Sequence, residues 1–213
     1  MDLKEISVQL QAGKAKIVKA LVQQAIDEGI PAQEILEKGL LDGMNEVGEK
    51  FKNNEIFVPE VLVAARAMNQ GVSLLKPLLQ QAGVQATGRV CIGTVQGDLH
   101  DIGKNLVALM MRSANLEVID LGSNVDGAKF IDAINKYNPD VIGLSALLTT
   151  TMNEQGHIIQ QLTDAGVRDK VKVMVGGAPV TQMWADKIGA DAFTADAAEA
   201  AQWAKTYAAS KGA

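Results

Sequence analysis

The chain has 213 residues, enough for one large domain or two modest ones, and 47% hydrophobic with 21% charged residues is typical of a globular protein with an ample core. Its formal net charge of −5 comes without a long run of like charges, so neither a nucleic-acid-binding face nor a polybasic membrane surface is indicated. The single cysteine, Cys91, excludes an internal disulfide and any all-cysteine metal site built by this chain alone. The start has no signal-peptide pattern and no run of about eighteen apolar residues follows, so we expect a cytoplasmic protein.

The first part of the chain has the periodicity of helices. Two apolar stripes recur every three or four residues, the first made of Leu36, Leu40, Met44, Val47 and Phe51, and the second of Val61, Ala65, Met68, Val72, Leu75 and Leu79. Pro31 and Pro59 lie near the starts of these segments, where a missing N–H is harmless. With two further helices, near residues 2–11 and 14–27, the pattern predicts a four-helix bundle.

The pattern changes after a small, uncharged segment at residues 82–88, which we interpret as a linker between a helical domain, 1–83, and a second domain, 89–213. Apolar, β-rich runs then alternate with helical patterns. We predict strands at 89–95, 116–121, 141–147, 171–175 and 190–194, and helices at 104–113, 126–137, 153–164, 181–188 and 197–208.

Five β-α units in a row predict an α/β fold in which a parallel sheet is covered on both faces. The expected architecture is an N-terminal four-helix bundle followed by a Rossmann-like, flavodoxin-like five-stranded sheet with strand order 2-1-3-4-5. Ligands of such sheets bind beyond the carboxyl ends of strands one and three, where the strand order reverses.

Three segments with polar or small residues lie at that rim. Strand one leads into GDLHDIGK, which places His100 between two acids in a glycine-bounded loop. Strand three ends on Ser145 and a run of threonines, 149–151, whose hydroxyls offer adaptable hydrogen bonds. Strand four ends on Gly176-Gly177, which would let a bulky ligand approach the backbone. We therefore predict a ligand site at this rim.

Proteins with this type of sheet bind different ligands, and the residues that each ligand requires narrow the choice for this chain. A response regulator needs an aspartate ending strand three and a lysine ending strand five, where this chain has Ser145 and Thr194. A flavodoxin needs a hydroxyl-rich phosphate loop after strand one and flanking aromatic residues, which this chain lacks there. His100 beside Asp98 suits a transition-metal ligand, because a carboxylate fixes the orientation of the ring. The spacing alone leaves open a second interpretation, in which His100 only caps the next helix. A single protein ligand cannot hold a bare metal ion, but a metal held in a macrocycle would need just one.

These residues resemble a known family. Asp98-Leu99-His100-Asp101-Ile102-Gly103, Ser145-Ala146-Leu147 and Gly176-Gly177 are similar to the D-x-H-x-x-G, S-x-L and GG motifs of cobalamin-binding domains of the methionine synthase type. Residues 44–68, MNEVGEKFKNNEIFVPEVLVAARAM, resemble the cap helices that precede this domain in methionine synthase and in small corrinoid proteins of methyltransferase systems. The resemblance covers essentially the whole chain, and the absence of other modules favours the small corrinoid proteins.

The resemblance implies roles for individual residues. His100 would be the axial ligand to cobalt, Asp98 would accept a hydrogen bond from its other nitrogen, and Thr151 would complete that relay. Ser145, Leu147 and Thr149 would line the channel for the nucleotide tail, with Gly176, Gly177 and Ala178 on its far wall. The remaining residues of the cofactor-binding loop are Gly97, Leu99, Asp101, Ile102 and Gly103. Phe51 and Val58 would cover the methyl group, although Phe51 fits the bundle core equally well.

The implied function is a methyl carrier without catalytic residues of its own. Its cofactor would be cobalamin or a related corrinoid, cycling between Co(I) and methyl-Co(III). Its partners would be a substrate:corrinoid methyltransferase, a second methyltransferase acting on tetrahydrofolate or a thiol, and a reductive activation protein, with no nucleic acid or membrane partner. A cobalamin-sensing regulator is the alternative, and a mutase subunit a weaker one. The methyl donor stays open among methanol, methylamines, methoxylated aromatics and betaines.

We expect the second histidine, His157, on a helix surface, and Cys91 in the core.

Overall fold

The computed structural model describes residues 1–211, which form two compact units. The first unit spans Met1–Ala86 and includes the turn Ser113–Asn115, and the second takes the rest of the described chain from Thr87 onward. Gly212 and Ala213, the end of the predicted second domain, lie outside the described residues.

The first unit is helical, as predicted. Its elements are α1 (Lys4–Gln11), α2 (Ala15–Asp27), α3 (Ala32–Glu34), a π-helical segment (Ile35–Leu41), α4 (Asp42–Lys52) and α5 (Val58–Gln81). The segments from α3 to α4 follow one another without a break, so the unit has the four helical rods that the periodicity indicated. The two apolar stripes face the interior: Leu36, Leu40, Met44 and Val47 are buried, and so are Val61, Ala65, Met68 and Leu75.

The π-helical segment is a departure from the predicted regular helix. Glycines bring its backbone and that of α4 close to α1: a Cβ on Gly39 would lie 3.3 Å from atoms of Ile6, and one on Gly43 would lie 3.1 Å from the Cα of Ser7. The four-residue spacings from Leu36 to Leu40 and Met44 fit the wider π-helical turn as well as an α-helix, so the sequence pattern did not reveal it.

The second unit contains the predicted sheet. Its strands are β1 (Gly88–Thr94), β2 (Leu116–Asp120), β3 (Val141–Ser145), β4 (Lys172–Gly176) and β5 (Ala192–Phe193), all parallel in the order β2-β1-β3-β4-β5. The register pairs Thr94 with Ser145 and Ser145 with Gly176. The three strands therefore end at the same level, and the segments that follow them share one rim.

The helices of this unit are α6 (Ile102–Ser113), α7 (Gly127–Tyr137), α8 (Thr149–Asp164), α9 (Gln182–Ile188) and α10 (Ala197–Lys211), with a 3-10 turn at Arg168–Lys170. Strand and helix side chains pack into a core around Phe130, Ile142, Leu144, Ile158 and Val173. None of the described helices is both long enough and apolar enough to cross a bilayer.

Two predicted boundaries at the rim are wrong. β3 ends at Ser145 and not at Leu147, and α8 begins at Thr149 and not at Asn153, so the threonines lie in the first turn of a helix. The β-branched run resembles a strand, but the carboxylate of Asp98 accepts the N–H groups of Leu147 at 2.8 Å and Leu148 at 3.4 Å. A distant residue thus stabilises the start of α8, which no local pattern shows. The fifth strand is also shorter than predicted, with two residues.

Candidate functional site

The loop after β1 is held to the β2–α7 connection by backbone and side-chain hydrogen bonds. Gly97 adopts a φ of 81° and donates its N–H to Oδ1 of Asn124 at 2.8 Å, and Asn124 donates its own N–H to the carbonyl of Asp98 at 3.0 Å. The buried hydroxyl of Thr94 donates to the carbonyl of His100 at 3.0 Å. Ordered contacts on both sides of the loop therefore define where His100 lies.

Asp98 is the buried centre of the site. Its side chain has no exposed surface, and each carboxylate oxygen accepts several hydrogen bonds. Oδ1 accepts from the backbone N–H of His100 at 3.0 Å and from its Nδ1 at 2.7 Å. Oδ2 accepts from the N–H of Leu147 at 2.8 Å and the hydroxyl of Thr151 at 2.7 Å. One carboxylate thus joins the ends of β1 and β3 and the start of α8.

The ionisation of Asp98 follows from these contacts. Burial alone would raise the pKa of the carboxyl, but hydrogen bonds from His100, Thr151 and Leu147 outweigh it and hold the pKa of Asp98 well below its usual range. The group is therefore a carboxylate at neutral pH and only accepts hydrogen bonds.

The tautomer of His100 is set by this carboxylate. Because an ionised carboxylate has no proton to donate, Nδ1 of His100 must carry the hydrogen of the 2.7 Å bond. A neutral ring then has its lone pair on Nε2, and the side chain is 52% exposed. The geometry offers one oriented nitrogen donor at the rim of the sheet, which is the arrangement of a metal-binding histidine backed by a carboxylate.

Thr151 completes a chain of three side chains. Its hydroxyl lies 2.7 Å from Oδ2 of Asp98 and 3.1 Å from the carbonyl of Leu148. A hydroxyl has one hydrogen, so it donates to one of these oxygens at a time. The structure brings together His100, Asp98 and Thr151, the residues for which the family resemblance implied one relay.

The glycine pair after β4 has two different surroundings. Gly177 has a φ of 125°, and a Cβ there would overlap the carbonyl oxygen of Ala146, so this turn requires glycine. A Cβ on Gly176 would meet no atom within 4 Å, and the same holds for Gly103 in the histidine loop. These two glycines face open space beside the site.

The other predicted rim residues lie at the same sheet edge. Ser145 ends β3 and is half-buried, whereas Leu147, Thr149 and Ala178 are exposed. Exposed apolar side chains accompany the histidine: Leu99 is 73% exposed and Ile102 is 83% exposed. Asp101 is exposed between them. The rim therefore combines exposed apolar side chains with a few polar ones and an oriented histidine nitrogen, and it suits a large, partly apolar ligand.

Gln155 is a site residue that the sequence analysis missed. It is fully buried, and its amide nitrogen donates to the carbonyls of Leu144 at 2.9 Å and Gly176 at 3.1 Å. Its Oε1 accepts the indole N–H of Trp184 at 3.1 Å. The available signal was its position one helical turn after Thr151, on the same face of α8.

The remaining candidates have simpler surroundings. His157 is exposed on α8 and contacts Glu154. Cys91 is buried in β1, where burial raises the pKa of its thiol to about 11.

In the first unit, Phe51 is half-buried near the end of α4, and Val58, 37% exposed, begins α5. Among residues 1–211, no three His, Cys, Asp or Glu side chains are grouped so that they could hold a metal ion.

Comparison with known proteins gives matches over nearly the whole chain. Residues 88–202 match the B12 binding domain family, and residues 3–76 match a second B12 binding domain family. The chain is 48% identical over 204 residues to a dimethylamine corrinoid protein of Methanosarcina barkeri, covering 95% of each, and 47% identical to a trimethylamine corrinoid protein of the same organism, covering 87% of this chain and 86% of the relative. A chain in the crystal structure of the methanol:cobalamin methyltransferase complex MtaBC, also from Methanosarcina barkeri, matches with a TM-score of 0.83 and 29% identity, covering 96% of this chain and 78% of that one.

Proposed function

Because this chain belongs to the B12 binding domain family and is homologous to the methylamine corrinoid proteins, we propose that it is a corrinoid protein that carries a methyl group between two methyltransferases. The cofactor is cobalamin or a related corrinoid. The first methyltransferase would load the methyl group from a substrate, the second would pass it to tetrahydrofolate or a thiol, and a reductive activation protein would maintain the cofactor.

One observation supports this proposal most directly: His100 is held by Asp98 with Nε2 free and half of its side chain exposed. A corrinoid supplies the other ligands of its cobalt, so one oriented nitrogen from the protein suffices. The open space beside Gly176 and Gly103, together with the exposed Leu99 and Ile102, fits a large and partly apolar macrocycle. The residues present therefore fit the cofactor.

The protein residues bind and orient the cofactor. His100 would provide a nitrogen ligand to the cobalt, and Asp98 would keep Nδ1 protonated so that Nε2 stays available. Thr151 would hold the second carboxylate oxygen and adjust its hydrogen bond when the charge on His100 changes. When bound, the corrinoid supplies a cobalt that takes up and releases a methyl group, and the protein sets its access and its axial ligand.

The contacts of the other rim residues are proposed from the same resemblance. Ser145, Leu147 and Thr149 would contact the nucleotide tail on one side, and Gly176, Gly177 and Ala178 on the other. The loop residues Gly97, Leu99, Asp101, Ile102 and Gly103 would contact the corrinoid around His100. Phe51 and Val58 would shield the methyl group, a role that the exposure of Val58 supports.

Methylated amines are the donor class that we propose for the loading step. The curated relatives that share 47–48% identity are named for dimethylamine and trimethylamine, whereas the methanol-linked chain is 29% identical. The chain would itself lack donor-directed activity, because demethylating an amine requires activation of a poor leaving group by a partner enzyme. No feature of the described residues favours the cobalamin-sensing alternative.

The carrier role can be tested by methylation of the reduced, corrinoid-loaded protein. Mono-, di- and trimethylamine and methanol would be supplied with and without candidate partner methyltransferases, and formation of the methyl–cobalt bond followed by absorbance. We expect rapid methylation only with a methylamine and its partner enzyme together. Catalytic methylation by this chain alone would contradict the carrier role, and methylation from methanol only would contradict the donor class.

A further inference from the structure

Lys104 is a buried cation that the proposed function does not use. It follows His100 by four residues, in the first turn of α6, and its side chain is only 2% exposed. The ammonium group donates to both carboxylate oxygens of Asp120, at 2.7 and 2.6 Å, and to Oδ1 of Asn105 at 2.7 Å. These three bonds use all of its hydrogens.

This placement is unfavourable by two general rules. A buried ammonium loses its hydration, and a positive charge near a helix N-terminus opposes the helix dipole. Asp120 compensates by remaining ionised: burial raises its pKa, but the bonds from Lys104 and from the N–H of Gly122 hold the pKa of Asp120 below its usual value. A buried lysine is unfavourable, and three hydrogen bonds from its ammonium group offset that cost here. This combination indicates a specific role for Lys104.

The ion pair joins the two segments that enclose the histidine loop. Asp120 ends β2, and its Oδ1 also accepts the N–H of Gly122 at 2.9 Å. The carbonyl of Gly122 accepts the N–H of Thr94, whose hydroxyl donates to the carbonyl of His100. Lys104 therefore anchors the C-terminal end of the loop, and Asp98 anchors its N-terminal end.

Between these two anchors the loop has little packing of its own. Leu99, Asp101, Ile102 and Gly103 are all exposed, and the N–H of Asn105 is bonded to the carbonyl of Asp101 at 2.7 Å. The position of His100 thus depends on the hydrogen bonds at the two ends of the loop.

We propose that Lys104 and Asp120 are positioning residues, whose ion pair fixes the start of α6 and thereby holds His100 in place for cobalt. This inference rests on the proposed histidine ligation. It extends the set of residues that control the axial ligand beyond those that touch it.

The test uses Lys104→Met, Asp120→Asn and the double variant in the full-length protein. The control is Lys172→Met, which removes a lysine bonded to Asp191 at 2.6 Å at the start of β4, on the other side of the same sheet. Each protein is loaded with hydroxocobinamide, which has no nucleotide base that could replace the histidine, and the ratio of histidine-on to histidine-off forms is measured by absorbance at fixed pH. Hydrogen exchange of residues 97–105 is measured separately on the cofactor-free proteins.

We expect Lys104→Met to lower the histidine-on ratio by roughly tenfold, the low end of the range for partners of metal ligands. Hydrogen exchange should accelerate in residues 97–105 and not across the rest of the sheet. The double variant should be no worse than Lys104→Met, because the two residues act as one pair. Lys172→Met should leave both readouts unchanged.

Two outcomes would overturn the inference. One is an unchanged histidine-on ratio together with unchanged exchange of residues 97–105 in Lys104→Met. The other is additive losses in the double variant, which would mean that the residues act independently. If the parent protein itself lacked the histidine-on form, the proposed ligation would be wrong, and the exchange of residues 97–105 would still decide whether the ion pair positions the loop.

Discussion

A single buried carboxylate connects the proposed metal ligand to the framework of the sheet domain. Asp98 orients His100 through Oδ1 and holds the start of α8 through Oδ2. Any change to this residue therefore affects both ligand orientation and folding stability.

Replacing Asp98 by Asn should destabilise the protein at neutral pH by about 1–3 kcal/mol, because the amide cannot accept all the hydrogen bonds of a carboxylate. The folded-state pKa of Asp98 is depressed, so its stabilisation is fully present above its unfolded pKa of about 3.9 and is lost as the pH falls towards the folded value. Urea unfolding at several pH values should therefore show the gap between parent and variant narrowing below about pH 4.

The matched control for this experiment is Asp101→Asn, which changes an exposed acid in the same loop. Its unfolding free energy should stay within about 0.5 kcal/mol of the parent. A gap between parent and Asp98→Asn that stays constant from pH 7 to pH 3 would show that the charge of Asp98 does not contribute to stability.

The two glycines after β4 give a second prediction. Gly177→Ala should destabilise the protein by more than about 1 kcal/mol, because it combines a positive φ with an overlap on the carbonyl of Ala146. Gly176→Ala should fold like the parent, since its methyl group points into open space, but should weaken corrinoid uptake if that space holds the cofactor. Thermal unfolding and hydroxocobalamin titration measure the two effects. Equal melting temperatures for both variants would contradict this assignment.

At the scale of elements, α8 is the helix that ties the rim together. It carries Thr151 towards Asp98 and, one turn later, Gln155 towards the ends of β3 and β4. The side-chain amide of Gln155 also reaches α9 through Trp184, so one buried polar group links α8 to β3, β4 and α9.

Gln155→Leu should therefore destabilise the protein by about 1–3 kcal/mol, because buried carbonyl and indole partners lose hydrogen bonds. Gln160→Leu is the control on the same helix, where the side chain is exposed, and should change stability by less than about 0.5 kcal/mol. Denaturant unfolding gives the free energies, and Trp184 fluorescence should shift only in Gln155→Leu. Equal losses of unfolding free energy in both variants would contradict a stabilising role of the hydrogen bonds that the buried Gln155 makes.

Most of the sheet domain could be predicted from sequence at this scale because its signals are local. Apolar, β-rich runs between helical segments located the five strands, and the doubly wound β-α pattern predicted the strand order that the structure shows. The start of α8 could not be predicted, since Asp98, about fifty residues earlier in the chain, supplies the acceptor. Gln155 and the Lys104–Asp120 pair were missed for the same reason: their partners lie on other elements.

At the scale of the whole molecule, the chain combines a helical unit and a sheet unit that each match a B12 binding domain family. The resemblance found through the D-x-H-x-x-G, S-x-L and GG motifs is confirmed by these matches and by the corrinoid relatives. The motifs were sufficient for this conclusion because they place a metal-binding histidine, its supporting aspartate and backbone glycines in a fixed order along the chain.

A role of the helical unit in protecting the methyl group stays a prediction. Phe51→Ala should speed photolysis of the methyl–cobalt bond if this side chain shields it, and Phe57→Ala, which alters a neighbouring aromatic that is 64% exposed, provides the comparison. Photolysis is measured by the loss of the methyl-cobalt absorbance under constant light. A rate in Phe51→Ala no higher than in the parent would show that Phe51 is only a core residue of the bundle.

The most direct test of the account is the axial ligand of the bound corrinoid. Parent, His100→Ala and His157→Ala proteins would be loaded with cobinamide, a corrinoid that has no nucleotide base of its own, reduced to the Co(II) form and examined by electron paramagnetic resonance, which detects coupling of cobalt to an axial nitrogen. We expect the nitrogen-ligated signal in the parent and in His157→Ala, and its loss in His100→Ala. A nitrogen-ligated signal that persists unchanged in His100→Ala would contradict it.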